Sequence, residues 1–345
     1  MSLRIQAAIQ RVIERHDLSR EEMTAVMQLI MTGQATPTQI GGFLVGLRMK
    51  GETVDEVAAA AAVMRTLATT VKTGQDRLID TCGTGGDAAG TFNISTAAAF
   101  VAAAAGARVA KHGNRSISGK TGSADVLEAA GVRLDLNPAQ IARCIQEVGV
   151  GFLFAPVHHG AMKHAIGPRR DLGVRTLFNI LGPLTNPAGA SCQLIGVYQD
   201  SLLDLMAGAL RELGSQHVWV VHSQDGLDEI SLGASTQVAE LKDGQIRRFT
   251  LNPEDFGFSR TPLDLLRVES PAASLAVIRA VLEDHPGPAR DIVVLNAGAA
   301  LQVAGIVADL QEGVARAAQA IRTGEARSRL DRLIILTQSF DLSPV

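Results

Sequence analysis

The sequence predicts an α/β protein: a small N-terminal all-helical domain followed by a large α/β domain built on a central, mostly parallel sheet. Three observations carry that prediction. Residues 1–70 hold repeated helix-start signals and no strand signal, short apolar runs alternate with helical stretches from residue 77 onward, and a cluster of glycines follows the first of those runs.

The helical part comes first. Ser19-Arg20-Glu21-Glu22, Thr36-Pro37-Thr38-Gln39 and Thr53-Val54-Asp55-Glu56 all read as capping boxes, in which a hydroxyl and a Glu or Gln side chain satisfy free backbone N–H groups of the first turn. The second adds Pro at the first helical position, and Gly51 closes that helix. These signals place about four helices before residue 70. With no cluster of chemically active polar residues, the bundle reads as a packing or dimerisation unit.

The α/β part alternates. Strands are predicted over 78–81, 108–110, 151–154, 193–197, 217–222 and 237–241, with helices over 123–130, 138–148 (capped by Asn137) and 202–213. Residues 158–185 interrupt the alternation with two helix-like pieces. Beyond residue 270 the chain reads as helices over 271–283, 291–304 and 306–321 and a last amphipathic stretch to 338, all covering a face of the sheet.

Composition narrows the function. Lys and Arg number 32 against 35 Asp and Glu, the net charge is −3, and there is one Trp and one Tyr. Such a chain offers no broad basic face to nucleic acid or an anionic membrane, and no aromatic platforms for base stacking. Cys82, Cys144 and Cys192 are scattered and odd in number, so neither a disulfide framework nor a zinc site is predicted. Lacking a basic-then-apolar leader and any run of membrane-spanning length, the chain is expected in the cytoplasm.

Chemistry concentrates in residues 80–128. A short apolar strand runs into Gly83-Thr84-Gly85-Gly86, where missing Cβ atoms let backbone N–H groups close on an anion. Ser95 and Thr96 stand at the predicted N-cap of an alanine-rich helix, whose free N–H groups and dipole make a second anion seat. No acidic residue lies between Asp87 and Asp125, whereas Arg108, Lys111, Arg115 and Lys120 do. A local positive field in a slightly negative chain favours a small polyanion. Gly83-x-Gly85-x-x-Ala88 fits the relaxed dinucleotide fingerprint, but the acid that motif needs about 20 residues later falls in the acid-free interval. Gly119-Lys120-Thr121 looks like the end of a P-loop, but Gly113 is one residue too far upstream.

Two further groups stand out. Asp228 and Glu229 follow the strand 217–222 and a turn at Asp225-Gly226, and read either as magnesium-ligating carboxylates or as solvated surface acids. His158, His159 and His164 lack the i, i+4 spacing of a helical zinc motif and read as packing or channel lining.

Six segments then carry a resemblance. Gly83-Thr84-Gly85-Gly86-Asp87, Asn93-Ile94-Ser95-Thr96, Lys111-His112-Gly113-Asn114-Arg115-Ser116, Pro168-Arg169-Arg170-Asp171-Leu172-Gly173, Asn179-Ile180-Leu181-Gly182-Pro183-Leu184-Thr185-Asn186-Pro187 and Asp225-Gly226-Leu227-Asp228-Glu229 resemble, in order, the motifs of the anthranilate phosphoribosyltransferases of tryptophan biosynthesis. The resemblance implies transfer of the 5-phosphoribosyl group from phosphoribosyl pyrophosphate to the amine of anthranilate, giving N-(5-phosphoribosyl)anthranilate and pyrophosphate, the second step from chorismate. It implies a cleft where two domains meet, a helical one of residues 1–70 joined by roughly 158–186 and an α/β one of 71–157 and 187–345, and a homodimer formed through the helical domain.

Implied donor contacts are Gly83, Gly86, Asp87, Thr91, Asn93, Ile94, Ser95 and Thr96, then Lys111, His112, Gly113, Asn114, Arg115, Ser116, Ile117, Ser118 and Gly119, and finally Ser123. Gly83, Asn114 and Arg169 are implied for anthranilate, the guanidinium fork of Arg169 meeting its carboxylate. Two magnesium ions per site are implied, with Ser95, Asp228 and Glu229 as ligands. No acid, base or nucleophile is implied, because the aromatic amine is already neutral near pH 7, which leaves positioning and charge neutralisation as the catalytic devices.

Alternatives stay open at three residues: Arg115 is either a phosphate ligand or a structural clamp, Arg170 competes with Arg169, and His112 either meets ligand or orders its loop. The chain departs from the family at Gly119, where many members have a second serine, and at His158-His159-Gly160, where Tyr-His-Pro is more usual. Rival readings are a pyrimidine nucleoside phosphorylase-like enzyme, which needs no Asp228-Glu229 metal pair, and a non-catalytic nucleic-acid-binding relative, which needs a broad basic face.

Overall fold

The computed structural model describes residues 4–116 and 119–340. Helices α1 (Ile5–Ile13), α2 (Arg20–Met31), α3 (Pro37–Lys50) and α4 (Val54–Leu67) form the N-terminal bundle. The last three each open on a complete capping box, at Ser19, Thr36 and Thr53. Gly51 ends α3 with φ 91, a conformation that disfavours any residue with a Cβ.

The sheet has seven strands: β1 (Leu78–Gly83), β2 (Arg108–Gly113), β3 (Val150–Phe154), β4 (Cys192–Gly196), β5 (His217–Ser223), β6 (Thr236–Lys242) and β7 (Gln245–Leu251). Their order is β3-β2-β1-β4-β5-β6-β7, with the first five parallel and β6 and β7 antiparallel. The order reverses between β1 and β4, and ligands in such sheets bind outside the carboxyl ends of the strands at that switch point. The register pairs Gly83 with Gly196 there, so two glycines face the crevice.

Helices cover both faces. One face buries Ile79, Val109, Leu194 and Trp219 under α5 (Ile94–Ala104), α6 (Ser123–Ala130), α7 (Pro138–Val148) and four C-terminal helices described below. Between β3 and β4 the chain forms α8 (Ala155–His158), α9 (Lys163–Leu172) and α10 (Phe178–Leu181), and after β4 comes α11 (Leu202–Glu212). The other face buries Val218, Val220, Ala239 and Leu241 against α11 and the N-terminal bundle in one core. There Gly208 of α11 lies against α4, so close that a Cβ would stand 2.9 Å from Val54 Cγ2. The C-terminal helices are α12 (Pro271–Leu282), α13 (Pro288–Val303), α14 (Leu310–Arg322) and α15 (Glu325–Ser339).

The chain between β3 and β4 packs back on the bundle, with Ala165, Phe178 and Leu181 in the same core as α1 to α4. The crossings run side by side: the Thr69 amide donates to the His158 carbonyl at 2.9 Å and the Val71 amide to the Pro187 carbonyl at 3.0 Å. His164 lies against Gly33, 2.6 Å from where a Cβ would stand, so it packs the junction.

Several expectations need correction. Strand β2 runs past 110 to Gly113, so Lys111, His112 and Gly113 sit in the sheet rather than in a loop. Strand β7 has no counterpart among the expected strands; it closes a hairpin whose turn residues Asp243 and Gly244 have φ 51 and 74, the geometry an Asp-Gly hairpin turn requires. The helix expected over 306–321 begins at Leu310, where Asp309 accepts the Glu312 amide at 2.8 Å, and the one expected from 291 begins at Pro288. All three cysteines are free and buried. No helix among the described residues is long and apolar enough to cross a membrane.

Candidate active site

The switch point is built by close backbone approach. A Cβ on Gly83 would lie 2.6 Å from Asp228 Oδ2, and one on Gly196 only 1.5 Å from the Asp228 carbonyl oxygen, so glycine at both strand ends lets the acidic loop lie on the sheet edge. Beyond β1 the chain turns through Gly85 and Gly86 with φ 65 and 79. The Gly85 amide donates to Asp228 Oδ2 at 2.9 Å. Asp87 Oδ1 accepts the Ala89 amide at 3.1 Å.

Acids therefore crowd one spot. Burial, then the charges of Asp87 and Glu229, hold Asp228 well above the usual carboxylate range. Burial pushes Glu229 up to about 7, with Lys111 and hydrogen bonds from Ser95 pulling the other way. Crowded, partly desolvated carboxylates are what a divalent cation relieves. No group of three or more His, Cys, Asp or Glu among the described residues is assembled to hold an ion by itself. The two adjacent carboxylates of Asp228 and Glu229 suit magnesium, which takes one or two carboxylates and fills its shell with phosphate oxygens and water.

The second anion seat differs from the sequence expectation. Helix α5 begins at Ile94 with Asn93 as its cap, so Ser95 and Thr96 lie inside its first turn. The Asn93 side chain does not cap the helix; its Oδ1 accepts Thr121 Oγ1 at 3.0 Å and Ser274 Oγ at 2.8 Å, tying three segments together. A distant acid takes the helix end instead: the Ser95 amide donates to Glu229 Oε1 at 3.1 Å. Ile94 and Thr96 are buried, and the Thr96 Oγ1 has no partner among the described residues. Thr91 forms an isolated antiparallel bridge to Arg267.

Beneath the loop lies Lys111, 3 % exposed, whose Nζ donates to the Thr81 carbonyl and to Ser95 Oγ, the latter at 3.3 Å. Burial lowers its pKa against the opposing charges of Asp80, Cys82 and Glu229. Asp80 is fully buried and accepts the His112 amide at 3.0 Å and Asn186 Nδ2 at 2.8 Å; burial raises it to about 6 although Lys111 opposes this. Gly85, Asp228, Glu229, Ser95 and Lys111 thus stand in one continuous cluster.

The following segment is held by its own acids. Arg115 pairs with Glu128 at 2.7 Å and Asp125 at 3.2 Å, the contacts that the clamp reading calls for. Asp125 Oδ2 accepts the Ser116 and Gly122 amides at 3.0 and 2.9 Å, and Ser116 Oγ accepts the Gly119 amide at 2.8 Å. Gly113 makes room for Ser123, whose Oγ donates to the Asn114 carbonyl at 3.4 Å; Asn114 itself is exposed. Lys120 pairs with Glu269, and Arg108 donates to the Ile145 and Gln146 carbonyls at the opposite end of β2. Ile117 and Ser118 lie outside the described residues.

At the domain junction the two neighbouring arginines separate cleanly. Arg169 is half-buried, with its guanidinium over the Phe178 ring at 5.2 Å and no carboxylate partner among the described residues. Arg170 points to water, its side chain 80 % exposed and 3.6 Å from Asp171. Phe178 opens α10, and Gly182 just beyond α10 accepts His112 Nδ1 at 3.2 Å. His112 packs on His159 with ring centroids 5.2 Å apart, and burial pushes them down to about 3 and about 4, so both are neutral. His158, from the atypical His158-His159-Gly160 run, is occupied by the Thr69 carbonyl at 2.7 Å.

Three residues of this neighbourhood carry no signal in the sequence. Asp80 underlies Lys111 and His112. Asn296, fully buried on α13, accepts the Ile230 amide at 3.0 Å and donates to the Ile230 carbonyl at 2.8 Å, pinning the acidic loop. Arg175 reaches the Gly86 carbonyl from the chain between α9 and α10. Asp80 heads the glycine-loop stretch and the other two belong to no local motif; for all three only a partner distant in sequence gives the role.

Known proteins resemble this chain over nearly its whole length. Residues 75–327 match the model of the glycosyl transferase family a/b domain, and residues 6–68 that of its helical bundle domain. An anthranilate phosphoribosyltransferase from Thioalkalivibrio sulfidiphilus is 64% identical over 335 residues, 97% of this chain and 99% of that protein. The crystal structure of the Thermus thermophilus anthranilate phosphoribosyltransferase aligns with TM-score 0.91 at 43% identity, covering 96% of this chain and 99% of the other. The Saccharomyces cerevisiae enzyme, solved in complex with phosphoribosyl pyrophosphate and magnesium, aligns with TM-score 0.89 at 25% identity over 97% and 98% of the two chains. The nucleoside phosphorylase and nucleic-acid-binding readings fall away, and the chain belongs to the anthranilate phosphoribosyltransferase family.

Proposed function

We propose that this chain transfers the 5-phosphoribosyl group of phosphoribosyl pyrophosphate to the anthranilate amine, with release of pyrophosphate, as its family does. The observation that carries the reading is the cluster in which the Gly85 amide meets Asp228, the Ser95 amide meets Glu229, and Ser95 Oγ meets Lys111. A donor with an anion at each end of a sugar needs such neighbouring anion seats.

In the reaction the amine nitrogen bonds to ribose C1 as the C1–O bond to pyrophosphate breaks, and an amine proton leaves to water. Asp228, Glu229 and Ser95 would hold magnesium, which when bound neutralises the departing phosphates; the number of ions per site, two in the family resemblance, is part of the proposal. Lys111 supplies a fixed cation below the donor, and its buried setting strengthens the attraction between that charge and phosphate while lowering the lysine's own pKa. Arg169 receives the acceptor carboxylate, its guanidinium oriented by Phe178. Gly83, Gly86, Asp87, Thr91, Asn93, Ile94, Ser95, Thr96, residues 111–119 and Ser123 enclose the donor, with Asn114 between donor and acceptor. Orientation of the two substrates, rather than a base, supplies the rate.

The domains act as residues 1–70 with roughly 158–186 against 71–157 with 187–345, opening and closing the cleft. The chain works as a cytoplasmic homodimer joined through the bundle, a reading supported by the exposed apolar side chains Ile13 and Met49 at 62% and 71%. The test of the reaction is the magnesium-dependent loss of anthranilate fluorescence on adding phosphoribosyl pyrophosphate to pure protein. Fluorescence that stays constant at saturating donor and metal refutes it.

A further inference from the structure

Of the four cations that the sequence places in the acid-free interval, two are already neutralised by acids and a third is engaged elsewhere. Arg115 is paired with Glu128 and Asp125, Lys120 with Glu269, and Arg108 is bound to carbonyls at the far end of β2. Lys111 alone remains, and it sits under Ser95 rather than over the glycine loop. The loop end of the site, where Asp87, Asp228 and Glu229 concentrate negative charge, thus lacks a cation from the expected set.

Arg175 fills that gap. It lies between Gly173, which ends α9 with φ 63, and the start of α10; the next residue, Thr176, is buried with its amide on Asn179 Oδ1 at 2.9 Å. From this anchor the guanidinium lies over the glycine loop. Nη2 donates to the Gly86 carbonyl, and Nη2 and Nε stand 3.4 and 3.5 Å from the position a Gly86 Cβ would take. The guanidinium also rests on the Tyr198 ring at 4.1 Å, and the Tyr198 amide itself donates to Thr84 Oγ1 at 3.2 Å. No carboxylate lies within ion-pair distance of Arg175 among the described residues.

A guanidinium carries five N–H donors in a planar fork suited to phosphate oxygens. Here one donor meets a carbonyl, the charge is unpaired, and an aromatic ring fixes the plane. A residue that only pinned the loop would need neither the exposed charge nor the stacked orientation. We propose that Arg175 is a ligand of the donor's pyrophosphate, exchanging the Gly86 carbonyl for phosphate oxygens when the donor arrives and so joining the chain between α9 and α10 to the leaving group. The inference rests on the transfer reading above, because it presupposes that pyrophosphate lies along residues 83–87.

The test compares the full-length wild type with R175A and R175K. Calorimetry measures binding of inorganic pyrophosphate with magnesium, steady-state kinetics give KM for each substrate, and ligand-free unfolding gives stability. R175A is expected to weaken pyrophosphate and raise donor KM by roughly tenfold or more, while anthranilate KM stays within about twofold. R175K, which keeps the charge but not the fork, falls between. Should R175A fail to fold, the R175K pyrophosphate constant decides alone. Unchanged pyrophosphate binding, or equal loss for both substrates with a lowered unfolding temperature, overturns the inference and leaves Arg175 as a loop pin. A wild type that binds pyrophosphate through Arg175 yet turns nothing over would sink the transfer reading and leave this one standing.

Discussion

The Gly85 amide donates to Asp228 Oδ2 at 2.9 Å, so the proposed metal acid and the proposed phosphate loop are bonded to each other before any ligand arrives. The acid is held in place at an electrostatic cost, since Asp87 and Glu229 crowd it. Replacing Asp228 by Asn removes one like charge while keeping the shape. Ligand-free D228N is therefore expected to unfold at a higher temperature than wild type while losing about 10²–10³-fold in kcat/KM at saturating magnesium, the scale of a lost metal-borne stabilisation. Chelation of magnesium should bring wild type down to the mutant's rate and leave D228N almost unchanged. Full activity in D228N contradicts the assignment.

Gly83 tests the same geometry without touching an acid. A Cβ there meets Asp228 Oδ2 at 2.6 Å, the movable end of a side chain, whereas a Cβ on Gly196 meets the Asp228 carbonyl oxygen at 1.5 Å. The first clash is relieved by rotating the carboxylate away and the second only by moving backbone. G83A is expected to fold and to lose magnesium response, measured as the metal concentration for half-maximal rate. G196A is expected to lose stability, by an amount in the upper range for point changes, about 3 kcal/mol or more in denaturant titration.

Arg169 and Arg170 differ by one position and by their surroundings. The first is desolvated over Phe178 and the second is bathed in solvent. R169K should raise anthranilate KM by roughly tenfold, as expected when a charged pair loses its bidentate geometry, with donor KM little changed; R170A should leave both within about twofold. Equal effects of the two changes in steady-state kinetics would show that the stacking on Phe178 does not select the acceptor residue.

What the sequence makes legible is what local chemistry decides. The boxes at Ser19, Thr36 and Thr53 form as read because all their partners lie within one helical turn. The parallel strands are legible as apolar runs because both of their faces are buried. Strand β7 escapes a sequence reading because it is an edge, with Gln245, Arg247 and Arg248 exposed and its one signal, Asp243-Gly244, lying in the turn. The start of α5 differs from expectation because Glu229, 134 residues away, supplies the acceptor that Ser95 and Thr96 suggest locally. Arg175 and Asn296 are invisible for the same reason: a single Arg or Asn acquires a role only from what the fold sets beside it.

Glu240 gives the fold a defined acid limit away from the site. It is 1 % exposed on β6 and accepts His217 Nε2 at 2.8 Å, Trp219 Nε1 at 2.9 Å and Arg247 Nε. Burial alone would raise its pKa, but those three donors and the Arg247 charge prevail and bring it down to about 2. An acid whose folded pKa is depressed stabilises the fold above its unfolded value and loses that contribution as pH falls toward the folded one. The loss therefore develops between about pH 4.5 and about pH 2. E240Q presents an amide to Arg247 and has no proton to gain, so it should cost about 1–3 kcal/mol at pH 7 and show no such dependence. Urea titrations at pH 7, 4.5 and 3 should give a gap between wild type and E240Q that narrows with acidification, and a gap constant across that range would mean that Glu240 is held as the neutral acid.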